Sequence, residues 1–215
     1  DSGEEIYEIS GGYRAGFAQR RLSIMDLSAL GHQPMHSDNG RISVVFNGEI
    51  YNFQDIRKEL SGYTFQSNCD TEVIIAAYLE WGIGCVERFV GMYAIALLDR
   101  DCGEVYLVRD CIGKKPLYYW LDGENLVFAS ELKPIMACPG FQKKIRKEVL
   151  SRFLYQQYIN APETIFENVY KLEPGAVLVF SQGKAKVRKY WDIKEVYNRQ
   201  KKNSVEDYGQ AKFEL

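Results

Sequence analysis

The sequence predicts an α+β fold built on antiparallel sheets, and two observations carry that prediction. Apolar runs of strand length come in pairs around short polar turns. Helical periodicity comes as insertions between those groups of strands rather than in alternation with single ones, so hairpins outnumber βαβ units.

Taken in order, Gly11-Gly12 marks a hairpin turn, and Ala15 to Leu22 mixes apolar and polar residues as a half-buried strand does. Arg41 to Phe46 is a β-rich run that ends at Asn47-Gly48, a strong turn signal. Asn52 stands where a helix N-cap belongs, Ile56 and Leu60 lie four apart, and Ser61-Gly62 stops that helix. Ser67 to Thr71 precedes a second helix, on which Val73, Ile74, Ala77, Tyr78 and Trp81 recur at helical spacing until Gly82. Met92 to Leu98 and Val105 to Val108 form a hairpin around Asp99 to Gly103, and Leu117 to Leu121 and Leu126 to Ala129 another around Asp122-Gly123. Helix signals return at Ser130 to Met136 and at Arg146 to Tyr158, where Val149, Leu150, Phe153, Leu154 and Tyr158 form a stripe. A last hairpin joins Ala176–Phe180 to Lys186–Trp191 around Gln182-Gly183. From Asp192 to Leu215 the chain is charged with scattered apolar residues, which predicts a linker.

Composition narrows the function classes. The 215 residues suffice for one domain with its own core. Lys and Arg number 27 against 29 Asp and Glu, so no basic field exists to draw nucleic acid or an anionic membrane. No apolar run approaches the roughly 18 residues of a spanning helix. The acidic start, Asp1 to Glu5, is the opposite of a secretory signal, and the lack of an initiating Met suggests a processed chain or a fragment. Five widely spaced cysteines, no C-x-x-C and two histidines argue against zinc and against a disulfide scaffold. Reduced thiols in a cytoplasmic protein fit best.

Three polar clusters sit between apolar elements: Arg20 to Asp26, Asn47 to Asn52, and Asn68 to Glu72. An arginine fork can hold a carboxylate, an aspartate an ammonium, and an Asn amide with a Gly N–H an oxyanion. Together they suit an amino acid whose side-chain carbonyl is attacked. Each has a plainer reading beside it: Asn47-Gly48 as a turn, Asp70 as a helix cap, Arg21 as a solvated charge. Arg109-Asp110 suits a buried ion pair or a domain contact, Lys114-Lys115 a solvated pair, Tyr118-Tyr119-Trp120 strand and core, and His32 and His36 loop anchors.

The wording of the clusters goes further. Arg21-Leu22-Ser23-Ile24-Met25-Asp26, Gly31-His32-Gln33-Pro34-Met35, Phe46 to Asn52 and Ser67 to Glu72 resemble the class II glutamine amidotransferase domain, most closely the glutaminase domain of glutamine-hydrolysing asparagine synthetases. Phe89 to Ala94, Arg109 to Tyr119, Phe128 to Lys133, Ala161 to Phe166 and Lys171 to Gly175 continue the likeness in order, to about Trp191. It implies the N-terminal-nucleophile hydrolase fold, an αββα sandwich of two antiparallel sheets between helix layers. It implies that Arg21 grips the α-carboxylate of L-glutamine and Asp70 its α-ammonium. Glu49 and Leu22, Ser23, Ile24 and Met25 complete the pocket, and Asn47 and Gly48 form the oxyanion hole.

The family's nucleophile is a cysteine at the mature N-terminus whose own amine serves as base. Here Asp1-Ser2-Gly3 matches a stretch some tens of residues beyond it, so residues 1–191 are expected to lack the first strand and the nucleophile, and to be inactive alone. None of the internal cysteines can replace it; Cys69, beside Asp70, is a decoy better suited to core or pocket wall. Residues 192–215 would lead into an absent synthetase domain. ATP and Mg2+ belong to that domain, and this one needs no cofactor and no metal. Ser10-Gly11-Gly12 resembles the start of a pyrophosphate loop but continues as Tyr13-Arg14. Partners are L-glutamine and the synthetase domain, with a homodimer left open and neither nucleic acid nor membrane expected. Rival readings are another class II amidotransferase, a β-lactam-synthetase-like enzyme, or a non-catalytic remnant.

Overall fold

The computed structural model describes residues 2–9, 12–20 and 31–202, with side chains to residue 198. Strands β1 (Ser2–Glu8) and β2 (Arg14–Arg20) form a hairpin; β3 (Met35–His36) and β4 (Ile42–Ile50) lead into helices α1 (Phe53–Glu59) and α2 (Asp70–Trp81). A 3-10 segment at Gly82–Arg88 precedes β5 (Gly91–Asp99) and β6 (Glu104–Arg109). Then come β7 (Tyr118–Asp122), β8 (Asn125–Ala129), α3 (Leu132–Met136), α4 (Lys147–Gln156) and β9 (Val169–Lys171). The chain closes with β10 (Ala176–Ser181), β11 (Lys184–Lys189) and α5 (Ile193–Lys202).

All pairing is antiparallel. One sheet has the order β11-β10-β6-β5-β4-β3; the facing layer consists of the hairpin β1-β2 and the sheet β8-β7-β9. The period-2 alternation of strand side chains sorts the central sheet into two faces. Val44, Phe46, Ile95, Leu97 and Val108 pack under α1 and α2 with Ile56, Ile74 and Tyr78. Val45, Ala94, Ala96, Leu98 and Leu107 meet Tyr7, Phe17, Leu117 and Leu172 of the facing layer. On the far side Trp120 and Val169 pack with Ile135 of α3. The layers run helix, sheet, sheet, helix, as the resemblance implies. Burial on both faces explains why β4 to β6 read as nearly continuous apolar runs.

Several expectations change. Asn47-Gly48 is no hairpin turn: β4 runs through it, with Asn47 opposite Ala94 and Gly48 opposite Tyr93. The glycine serves close approach instead, since a Cβ there would lie 2.1 Å from the Met92 carbonyl oxygen. Asn52 precedes α1 but does not cap it; its side chain donates to the Arg88 carbonyl at 2.9 Å and accepts from Val90 N–H at 2.9 Å. Arg109 and Asp110 are not an ion pair. Arg109 donates to the carbonyls of Lys115, Leu172 and Gly113, while Asp110 accepts the N–H groups of Tyr93, Ile112, Lys114 and Lys115. Lys115 is half-buried rather than solvated. The stretch after Trp191, read as a linker, opens with helix α5, which leaves that reading as it stands. The stripe on α4 buries only Val149. His36 does anchor its loop, between Ser43 at 3.0 Å and Glu5 at 3.1 Å.

The far end of β5 carries a buried aspartate paired with an arginine. Asp99 has no exposed surface; Arg41 donates to it through two nitrogens at 3.1 and 2.7 Å, Tyr78 Oη at 3.1 Å and Asp101 N–H at 3.0 Å. Burial by itself would raise its pKa, but the Arg41 and Tyr78 bonds outweigh burial and hold it below the ordinary aspartate value. A depressed carboxylate contributes stability that is present above its unfolded pKa of about 3.9 and lost as pH falls through the lower folded value. Urea unfolding of wild type and Asp99→Asn is therefore expected to differ by a constant amount above about pH 5 and to converge below about pH 4. A difference that widened on acidification would contradict this account of Asp99.

Candidate functional site

Where β4 leaves the central sheet, a cavity of about 850 Å³ lies between that sheet and the facing layer. β4 contributes Asn47, Gly48 and Glu49, and the first turn of α2 contributes Asp70 and Thr71. Two of the clusters picked out by sequence thus converge although about twenty residues separate them. The first cluster cannot be placed in the same way: Arg21, Leu22, Ser23, Ile24 and Met25 lie outside the described residues. Arg20, the last described residue before them, lines the cavity.

Asp70 is the most informative group. It is 5% exposed and does not cap its own helix; Oδ2 accepts the Ile50 N–H across the gap to β4 at 3.0 Å. Burial pushes its pKa up and the charge of neighbouring Glu49 pushes the same way, against the pull of backbone N–H groups. Among the described residues no cation pairs with it. A buried carboxylate beside a second carboxylate is a receptor for an ammonium group, because a cation removes both the desolvation cost and the repulsion. Glu72, one half-turn on, plays a structural part. It accepts Gln66 N–H, Ser67 N–H and Ser67 Oγ at 2.7, 2.7 and 2.6 Å and fixes the loop that starts α2.

Asn47 donates one amide hydrogen of Nδ2 to Ser130 Oγ at 3.2 Å. An amide NH₂ carries two hydrogens, so the second is available to a ligand on the cavity side. Sequence reasoning missed Ser130, which stands 83 positions away with no local mark of its role. It also gave no role to Gln33. That buried side chain accepts Phe46 N–H at 2.7 Å and donates to Thr71 Oγ1 at 3.4 Å, so it ties β4 to the start of α2 behind the site. Lys115, in the loop that Asp110 organises, is a third lining residue that was not foreseen as one.

None of the five cysteines lines the cavity. Cys69 is 1% exposed in the core beneath α2, with Sγ 3.2 Å from Ser67 Oγ, so the wall-or-core reading resolves to core. Burial pushes the Cys85 thiol up to about 12, which leaves it inert. The strands beside the cavity are notable. Among the described residues β2 pairs only with β1 and β8 only with β7, and both line it. A second cavity of about 570 Å³ continues along the same seam and shares Gly16, Leu126 and Phe128 with the first.

The arrangement offers two carboxylates at one point, an amide donor and a glycine backbone at another, and an apolar seam leading away. Residues 3–191 match the family described as the glutamine amidotransferase domain. Relatives include a putative glutamine-hydrolyzing asparagine synthetase 2 of Methanocaldococcus jannaschii, 36% identical over 94% of this chain and 43% of that protein. Glutamine-hydrolyzing asparagine synthetase 2 of Bacillus subtilis is 37% identical over 92% of this chain and 27% of that protein. The chain therefore spans between about a quarter and two fifths of the length of these relatives. Among solved structures, the glutamine phosphoribosylpyrophosphate amidotransferase of B. subtilis superposes with a TM-score of 0.56 at 19% identity, over 82% of this chain and 35% of that one, a likeness of fold. With a match across nearly all of its two-sheet body, this chain belongs to the class II glutamine amidotransferase domain family.

Proposed function

We propose that this chain is the glutaminase portion of a glutamine-hydrolysing asparagine synthetase, and that L-glutamine binds in the cavity between β4, α2 and the facing layer. The observation that carries the reading is the buried Asp70 carboxylate, held beside Glu49 and within the same cavity as Asn47 and Gly48. Asp70 and Glu49 receive the α-ammonium. By the family resemblance Arg21 grips the α-carboxylate, and Leu22, Ser23, Ile24 and Met25 complete the pocket. The side-chain carbonyl then lies toward Asn47 and Gly48.

A cysteine thiolate adds to that carbonyl carbon, and its oxygen becomes an oxyanion that accepts hydrogen bonds from Asn47 Nδ2 and Gly48 N–H. The α-amine of that cysteine takes the thiol proton and delivers it to the departing nitrogen, so collapse expels neutral ammonia and leaves a thioester; water then adds to the thioester carbonyl, and glutamate leaves as the thiol regains its proton. The seam between β2 and β8 supports a location for the thiol: both strands lack a partner there among the described residues, and a further strand of the parent protein would carry the nucleophile between them. Residues 1–215 alone would then bind glutamine without turning it over. ATP and Mg2+ belong to the synthetase portion, where ATP activates aspartate for attack by ammonia. The identities of 36% and 37% to asparagine synthetases favour aspartate as the final acceptor.

Steady-state assays of the parent protein should show glutamate release from glutamine. Asn47→Ala should then lower kcat by about 10²–10³-fold, the usual effect of losing one oxyanion donor of about 2.7–4 kcal/mol, with a much smaller change in KM. Asp70→Asn should do the reverse and raise KM more than it lowers kcat. A parent that releases no glutamate would overturn the reading.

The raised pKa of Asp70 predicts a proton signal on binding. The free carboxylate keeps its proton to a higher pH than an ordinary aspartate, and a bound ammonium favours the ionised form. Binding of a non-hydrolysable glutamine analogue should therefore release a proton at acid pH, and affinity should rise with pH until Asp70 is ionised. Calorimetry in two buffers of different ionisation enthalpy reads that release; uptake of a proton would refute the assignment of Asp70.

A further inference from the structure

The apolar stripe that the sequence places on α4 is left in solvent. Val149 is enclosed, but exposure grows around the helix, from 37% at Leu150 and 40% at Phe153 to 73% at Leu154 and 89% at Tyr155. Tyr158, just past the left-handed C-cap Gln157, is exposed as well. The helix is held at its base and side only. Arg146 N–H donates to the Ile165 carbonyl at 2.9 Å, Ile145 bridges to Phe166, and Arg152 pairs with Glu163 at 2.6 Å. Leu150, Phe153 and Leu154 share one helix face, with Tyr155 exposed at its flank, and apolar side chains so left to water mark an interaction surface.

The place of the stripe in the fold indicates its occupant. Lys171 Nζ donates to the carbonyl of Ile159, which ties the end of α4 to β9. Four residues on, the Gly175 carbonyl accepts from Tyr190 N–H at 2.8 Å and Trp191 N–H at 3.2 Å, and α5 starts directly beyond. One short stretch, Lys171 to Gly175, thus fixes both the stripe and the point where the chain leaves the sheets. α5 presents exposed Ile193 and Tyr197 there, four apart on one face. In the relatives named above more than half of the protein lies outside the matched part. A tethered domain meets such a patch at an effective concentration in the mM range, so a few side chains suffice where a free partner needs on the order of 1,000 Å². The polar side of α4 mixes Lys147, Glu148 and Arg152, and Arg152 is paired with Glu163, a mixed rather than a uniformly cationic border.

We infer that Leu150, Phe153 and Leu154 of α4, with Tyr158, form the seat for a second domain that follows this one in the parent chain. The inference rests on the reading above, that this chain is one portion of a larger amidotransferase.

Thiol labelling of the full-length parent tests it. Leu154→Cys is compared with Lys58→Cys, whose native side chain on α1 is 77% exposed, and maleimide incorporation is timed by peptide mass spectrometry. The expected result is labelling at position 154 slower than at 58 by about tenfold or more, and slow amide exchange over 147–158 in the unsubstituted parent. Equal labelling rates overturn the proposal. So does protection that vanishes on dilution, which would assign the stripe to a second copy, and so does a parent with no further domain. Glutamine hydrolysis is assayed separately. A protected stripe on an inert parent keeps the docking surface and sinks the glutaminase reading; an active parent with an open stripe does the opposite.

Discussion

The nine-residue ladder between β4 and β5, from Ile42 opposite Asp99 to Ile50 opposite Gly91, is the constraint on which the rest of the fold depends. Its two ends are fixed by different physics. At one end Arg41 clamps the buried Asp99 through two nitrogens. At the other, glycines at 48 and 91 let the two backbones close to a distance that any Cβ would block, 2.1 Å from a carbonyl oxygen in each case. A slip of one residue would turn Phe46 and Ile95 away from α1 and α2 and carry Asn47 out of the cavity. The register that builds the core is therefore the same register that aims the amide.

Three buried aspartates show how partner choice divides structural work from ligand work. Asp99 meets a guanidinium and is held below the ordinary aspartate value. Asp110 is satisfied by four backbone N–H groups and shapes the loop that brings Lys115 to the cavity. Asp70 receives the Ile50 N–H from the neighbouring strand and stands beside another carboxylate, so its pKa rises. The first two are complete as they are. Asp70 alone gains from a cation that the described residues do not supply.

Much of the fold is legible in the sequence because its signals are local. The α2 stripe from Val73 to Trp81 with Gly82 at its end, and the hairpins around residues 99–103 and 122–123, sit where their patterns place them. Asn47-Gly48 misleads because the dipeptide has the propensity of a turn, while the ladder to Ala94 and Tyr93 overrides it. β9 is three residues long and too short to show alternation. Of the candidate site, Asn47, Gly48, Glu49 and Asp70 are suggested by their residue types but singled out by their resemblance to a family, since spacing alone is met more simply by a turn and a cap. Ser130, Gln33 and Lys115 reach the same cavity from other parts of the chain, and only tertiary contact reveals them.

The shape of the cavity also bears on what fills it. At about 850 Å³ it lies near the upper end of the roughly 300–1,000 Å³ range of small-molecule sites. Its lining joins the polar groups of β4 and α2 to an apolar wall in which Gly16, Ala18, Ala94 and Ala96 stand among Leu117, Leu126 and Phe128. An amino acid with two charged ends would gain nothing from that apolar stretch. A polypeptide strand would gain twice, by pairing its own N–H and C=O groups with β2 and β8 and by covering apolar surface between the sheets. The seam and the polar groups of β4 and α2 line one continuous cavity, and both parts of the proposal, a further strand and a glutamine site, rest on that continuity.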